Sequence, residues 1–243
     1  MSERSSGRAS ARVPDQVSGQ ASDLSAVLTV ARKDLLLELR SKEVVVATLF
    51  FSGLVLVILA FALGPDETAL RNAAAGTLWT ALAFAGVISA AQSYQGELEE
   101  GAFEQLLLYP VPRATLFLGK LLANWLFMLA LGVLLLPVSA AVFGAALAHW
   151  PRLLLTVALG TFGFSLIATF YAALTANLRA RESLLPVLIF PIIVPVILAA
   201  VRSSSEIMLE NPAQGSSWVQ LLAGFDLVYL VVCTAIFPFV VEE

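Results

Sequence analysis

Four glutamates lie close together in one stretch of this chain: Glu97, Glu99, Glu100 and Glu104 fall within ELEEGAFEQLLLYPVP, from Glu97 to Pro112. On a helix Glu97, Glu100 and Glu104 share one face while Phe103, Leu106 and Leu107 form another, and Pro110 with Pro112 ends the run. An acidic helix with an apolar tip fits a groove on a partner protein, with Phe103 and Leu107 as buried anchors, the glutamates as orienting charges and Gly101 between them. The structural alternative is that carboxylates in a first helical turn complement the helix dipole. Elsewhere the means for chemistry are sparse. The chain has one histidine, His149, and one cysteine, Cys233, so an intrachain disulfide, a CxxC pair and a C-x-x-C-H haem attachment are all excluded. Gly119-Lys120 is followed by Leu121 and lacks the upstream glycine, so it is not a phosphate-cradling loop and this chain is not expected to hydrolyse ATP.

The elements that position these residues are set by lipid. Hydrophobic residues make up 59% of the 243 and charged residues 13%, about half the share expected of a soluble domain. At roughly 20 apolar residues per span, six helices fit in one membrane domain. They are predicted at about 44–63, 73–93, 121–148, 153–176, 184–201 and 218–241. Gly64-Pro65-Asp66 ends the first. The second is uncharged but weaker in hydropathy, and its small residues Ala75, Gly76, Gly86 and Ala90 suit a packed inner span. Pro137 can kink the third, and Gly160 and Gly163 mark close contacts in the fourth. The fifth carries Pro186, Pro191 and Pro195, each of which removes a backbone hydrogen bond, so a kinked or broken helix is expected there. The sixth holds Asp226, the one carboxylate embedded in a span, a functional candidate because charge in hydrocarbon is expensive. It follows Trp218 by eight residues, near enough to reach interfacial water if the span starts later.

Residues 1–22 are rich in Ser, Arg, Gly and Ala and are expected to be disordered, with no apolar run of the kind a secretory signal needs. From Asp23 to Lys42, Leu24, Val27, Leu28, Ala31, Leu35 and Leu39 recur at spacings of three and four, with Arg32, Lys33, Glu38, Arg40 and Lys42 on other faces. This is an amphipathic helix suited to the headgroup plane, or alternatively to packing on a partner. With six spans, Arg4, Arg8, Arg12, Arg32, Lys33, Arg40, Lys42, Arg113, Lys120, Arg179 and Arg181 fall on one side and Arg71, Arg152 and Arg202 on the other, eleven cations against three. That asymmetry predicts cytoplasmic termini and a cytoplasmic Glu97 stretch, with Trp150, Trp218 and His149 at the outer interface.

Four separated stretches, ARKDLLLELRSKE, ELEEGAFEQLLLYPVPRATLFLGKLLAN, NLRARESLLPVLIFPIIVPVILAAV and FDLVYL, resemble in order the heme exporter protein B family (CcmB), permease subunits of the cytochrome c maturation system. The likeness runs from about Ala31 to the C-terminus. It implies an all-α, six-helix permease of the ABC-2 exporter type in the bacterial inner membrane, with an elbow helix at 23–42 and a cytoplasmic coupling helix within 95–112. That helix would dock on an ATPase subunit, CcmA-like, through Glu97, Glu99, Glu100, Gly101, Phe103, Glu104 and Leu107. The implied assembly adds a second permease copy, haem-handling membrane proteins and a periplasmic haem chaperone, with ATP held by the partner and haem handled in the wider complex. Asp226, Pro186, Pro191 and Pro195 are then candidates for intramembrane coupling. Haem passage through this chain would call on axial ligands, for which His149, Met128, Met208 and Cys233 are the candidates, and their spacing forms no cluster. Rival readings are an ABC-2 permease exporting a lipid, glycan or drug, and a proton-coupled carrier without an ATPase. The carrier is disfavoured because a single embedded acid makes no proton relay.

Overall fold

The computed structural model describes residues 18–99, 112–175, 181–210 and 212–240, and the described residues are helical apart from short turns. In chain order the helices are α1 (Ser18–Arg40), α2 (Lys42–Leu63), α3 (Glu67–Glu99), α4 (Arg113–Phe143), α5 (Trp150–Thr175), α6 (Arg181–Met208) and α7 (Pro212–Val240). Six of them, α2 to α7, are long and apolar enough to cross a membrane.

The caps follow from residue type. Gly64 takes φ 69°, closing α2 before Pro65. Asp66 then accepts the backbone N–H groups of Thr68 and Ala69 at 2.9 and 3.2 Å, satisfying orphan donors of α3. Gly144 adopts the left-handed conformation and ends α4 with Ala145 N–H on the Ala140 carbonyl at 3.0 Å. The third span therefore occupies Arg113–Phe143 rather than 121–148. Hydropathy continues through Ala145–Leu147 and hides the stop that glycine imposes.

Burial sorts the spans. The α5 window is 72% buried and that of α3 67%, against 17% for α2 and 22% for α7, so α3 and α5 form the middle of the bundle. The inner α3 has a mean hydropathy of 1.5 and the outer α2 2.7. A helix wrapped by other helices needs small residues more than lipophilic ones. Gly86 of α3 lies against the Phe164 ring of α5, and Gly160 of α5 lies against the Trp79 ring of α3. Gly132 of α4 meets Val157 of α5, where an added Cβ would come within 2.5 Å of Cγ1. Gly76 meets nothing within 4 Å, so of the glycines expected to mediate contacts it alone is dispensable.

Two expectations change at α6 and α1. Helix α6 runs without a break from Arg181 to Met208 through all three of its prolines, so the chain is not interrupted there. It packs on α3, α5 and α7 along one side, and Tyr229 Oη of α7 donates to the Ile192 carbonyl between the second and third prolines at 3.3 Å. Helix α1 begins at Ser18, five residues before the expected start, and packs mainly on α4. Its apolar stripe divides: Val27, Ala31 and Leu35 turn inward, whereas Leu24, Leu28 and Leu39 are exposed. The helix is held to its neighbours on one face and leaves leucines bare on another.

Candidate functional site

The acidic stretch begins on α3, which continues as helix to Glu99. Glu97 and Glu99 thus belong to the last turn of a 33-residue helix. Glu100, Gly101, Phe103, Glu104 and Leu107 lie outside the described residues.

Asp226 is placed differently from the interfacial reading. It sits midway along the Ala213–Pro238 span, 4% exposed, on the buried face that α7 shares between Leu222, Cys233 and Phe237. Its carboxyl lies against Gly163, itself midway along α5, and beside Val196 of α6. Neither carboxylate oxygen has a hydrogen-bond partner. A side chain at 163 would occupy the space the Asp226 carboxyl fills, so the glycine makes room for it. The prolines Pro191 and Pro195 belong to the neighbouring α6, with Pro186 one turn before Pro191 on the same helix.

The four candidate haem ligands do not converge. Met128 and Cys233 are buried within α4 and α7, His149 lies in the turn before α5, and Met208 ends α6. Among the described residues no three His, Cys, Asp or Glu side chains come together.

A second polar centre, not foreseen from the sequence, joins α1 to the bundle. Lys120 of α4, its side chain 2% exposed, places Nζ 3.3 Å from Asp34 Oδ2 of α1. Lys33 Nζ reaches the other oxygen of Asp34 at 3.1 Å. One turn on, Glu38 Oε1 contacts Ser89 Oγ of α3. Ser89 Oγ is also 3.1 Å from Asn124 Oδ1 of α4, and Asn124 Nδ2 donates to Thr169 Oγ1 of α5 at 3.1 Å. Burial pushes the Glu38 carboxyl up from 4.5 to about 7; the Ser89 hydrogen bond and Lys120 act against that rise, and Asp34 adds to it. A signal was present in the sequence. Asp34 and Glu38 are four apart on one helix, as Lys120 and Asn124 are on another, so each pair lies on one face.

Other tether points lie along the bundle. Arg113, at the start of α4, donates to the Pro238 carbonyl near the end of α7 at 3.2 Å. Towards the opposite end, Trp79 Nε1 donates to Ser204 Oγ at 3.0 Å, and Thr156 and Ser203 hydroxyls lie 2.9 Å apart, linking α3, α5 and α6.

Six spanning helices, four of them around an inner pair, with no strand among the described residues, define a multi-pass α-helical membrane protein. The family described as CcmB protein matches residues 25–242, and the chain belongs to that family. It is 36% identical over 201 residues to heme exporter protein B of Pseudomonas aeruginosa, covering 82% of this chain and 90% of that protein. The heme exporter protein B of Haemophilus influenzae is 30% identical over 173 residues, covering 71% and 78%. That of Rhodobacter capsulatus is 32% identical over 171 residues, covering 68% and 76%.

Proposed function

We propose that this chain is the membrane permease subunit of an ABC-type complex for c-type cytochrome biogenesis, transmitting ATPase-driven motion across the membrane for haem delivery or release of a haem-loaded chaperone. The relatives named for haem export support the haem-handling role. The observation that carries the transmission role is the continuity of α3. It is a single helix from its Asp66 cap, through the core of the bundle, to Glu99. Its 33 residues make a rod of about 50 Å at helical rise. Force applied to the acidic end of such a rod is delivered to Trp79 and Gly86, where α3 meets α5 and α6.

In this reading Glu97, Glu99, Glu100, Gly101, Phe103, Glu104 and Leu107 form the docking surface for a CcmA-like ATPase subunit. The cation asymmetry supports a bacterial inner-membrane chain with both termini and this surface in the cytoplasm. A second permease copy, haem-handling membrane proteins and a periplasmic chaperone complete the assembly, and catalysis resides in the ATPase. Asp226 and the α6 prolines mark where the spans rearrange, since a carboxyl without a partner gains one when its neighbours move. Reversing Glu97, Glu100 and Glu104 to lysine together lowers co-purification of the ATPase from membranes or uncouples its turnover. Unchanged ATPase binding with unchanged cytochrome maturation overturns the reading.

A further inference from the structure

The centre on α1 contains more acceptors than hydrogens in the arrangement observed. Ser89 has one hydroxyl hydrogen, and its oxygen faces two acceptors, Glu38 Oε1 and Asn124 Oδ1. With Asn124 Nδ2 committed to Thr169, the Ser89 hydrogen goes to Asn124 Oδ1. The contact with Glu38 then requires the hydrogen to come from Glu38, as a carboxylic acid. If Glu38 is ionised instead, Ser89 donates to it, and Asn124 must turn its amide over to give N–H to Ser89 and accept from Thr169. One proton therefore selects between two hydrogen-bond orders that run through α1, α3, α4 and α5.

The charges around the site pull both ways, and burial decides between them. Buried Lys120 is answered by Asp34 at 3.3 Å, and Asp34 also holds Lys33. Glu38 brings a second carboxyl to the same half-buried place. Among the described side chains, the charged groups acting on it are Asp34 of its own helix and Lys120 of α4, while α3 presents the neutral Ser89.

We propose that Glu38 is a proton-binding site that sets how firmly α1 is held against α3 and α4. The proposal goes beyond the coupling role above and does not depend on it. Its sign follows from the direction in which burial moves the group. The docked carboxyl titrates at about 7 and a detached one at 4.5, so between those values only the docked form keeps the proton. Docking is tightest below that window, weakens as pH rises across it, and no longer changes above about 7. At tenfold per pH unit the docking equilibrium changes on the order of a hundredfold across the window.

The test uses the full chain in lipid nanodiscs, from about pH 5 to about pH 9 so that both states are sampled. Amide hydrogen exchange of α1, corrected for the intrinsic pH dependence of exchange, reports docking, and infrared spectroscopy reports protonated carboxyl groups. In the parent, exchange of α1 accelerates on the order of a hundredfold as pH rises from about 5 and levels off above about 7, and the band of the docked carboxyl fades around that upper limit. In E38Q, whose amide supplies the hydrogen permanently, α1 stays protected throughout and that band is missing. Ser89→Ala is the second variant: loss of a hydrogen bond to the ionised form moves the midpoint upward. The proposal is overturned by α1 exchange that is independent of pH in the parent, by pH dependence that survives in E38Q, or by an unmoved midpoint in Ser89→Ala.

Discussion

The contact between α3 and α5 at Gly160 is tight enough to be tested by a single methyl group. In Gly160→Ala the new Cβ would stand 2.8 Å from Trp79 Cζ3 and 2.9 Å from Cζ2, and nearer still to Cη2. These are rigid ring atoms. Trp79 is 2% exposed and held by its Nε1–H on Ser204 at 3.0 Å, so the ring cannot withdraw without giving up that bond. Overpacking of a filled core costs about 1–3 kcal/mol, and loss of the Trp79–Ser204 bond adds about 1 kcal/mol. Replacing glycine by alanine inside a helix returns up to about 1 kcal/mol. The expected net loss is about 1–3 kcal/mol, a shift of roughly 5- to 150-fold in the unfolding equilibrium. It is measured by denaturant titration of the purified chain in bicelles, followed by far-ultraviolet circular dichroism. Trp79→Phe removes the offending ring atoms, so in that background Gly160→Ala should cost less by about 1–2 kcal/mol, a coupling of the size contacting residues show. A Gly160→Ala protein within about 0.5 kcal/mol of the parent, the noise of an ordinary surface change, refutes the close approach. Equal costs in both backgrounds refute the assignment to Trp79.

Three further outcomes follow from the same geometry. Asp34→Asn removes the carboxylate 3.3 Å from the buried Lys120 ammonium and should destabilise the chain by about 1–3 kcal/mol, while Asp34→Leu combined with Lys120→Met should recover most of it in the same titration. Gly119→Leu drives a side chain into Val30, whose Cβ is already 2.7 Å from an added Cβ, so α1 should become sensitive to protease while the six spans keep their helix content. Gly163→Ala meets Asp226 Oδ1 and comes within 3.0 Å of Val196 Cγ1, so it should cost about 1–3 kcal/mol; with Asp226→Ala in place that cost should fall sharply in a double-mutant cycle.

Much of the architecture was readable along the chain because lipid imposes a length and a polarity on each segment. Runs such as Val45–Leu63 have few other stable states in a hydrocarbon solvent. The inner position of α3 was also readable, since its alanines and glycines are poor lipid-facing residues and good helix contacts. Gly160 and Gly163 mark contacts for the same reason. Helix ends were read less well. The apolar residues after Gly144 extend the hydropathy of α4 although the backbone has already turned, because a left-handed cap is a property of one residue and leaves no trace in a window average. The acidic stretch was legible as a composition, and that Glu97 and Glu99 continue α3 became visible only in the fold.

The sequence by itself determined the solvent, the class, six spans and the family, since each depends on local hydropathy or on ordered stretches of residues. Tertiary structure decided which polar groups meet. Lys120 and Asp34 are separated by 86 positions, and Glu38 and Ser89 by 51, distances over which no periodicity reports a partner. It decided as well that Asp226 lies at mid-span against Gly163 rather than near interfacial water. The physical reason is common to both. Burial of a charged side chain depends on what surrounds it in three dimensions, and α1 and α7 acquire their buried faces only when other helices pack against them.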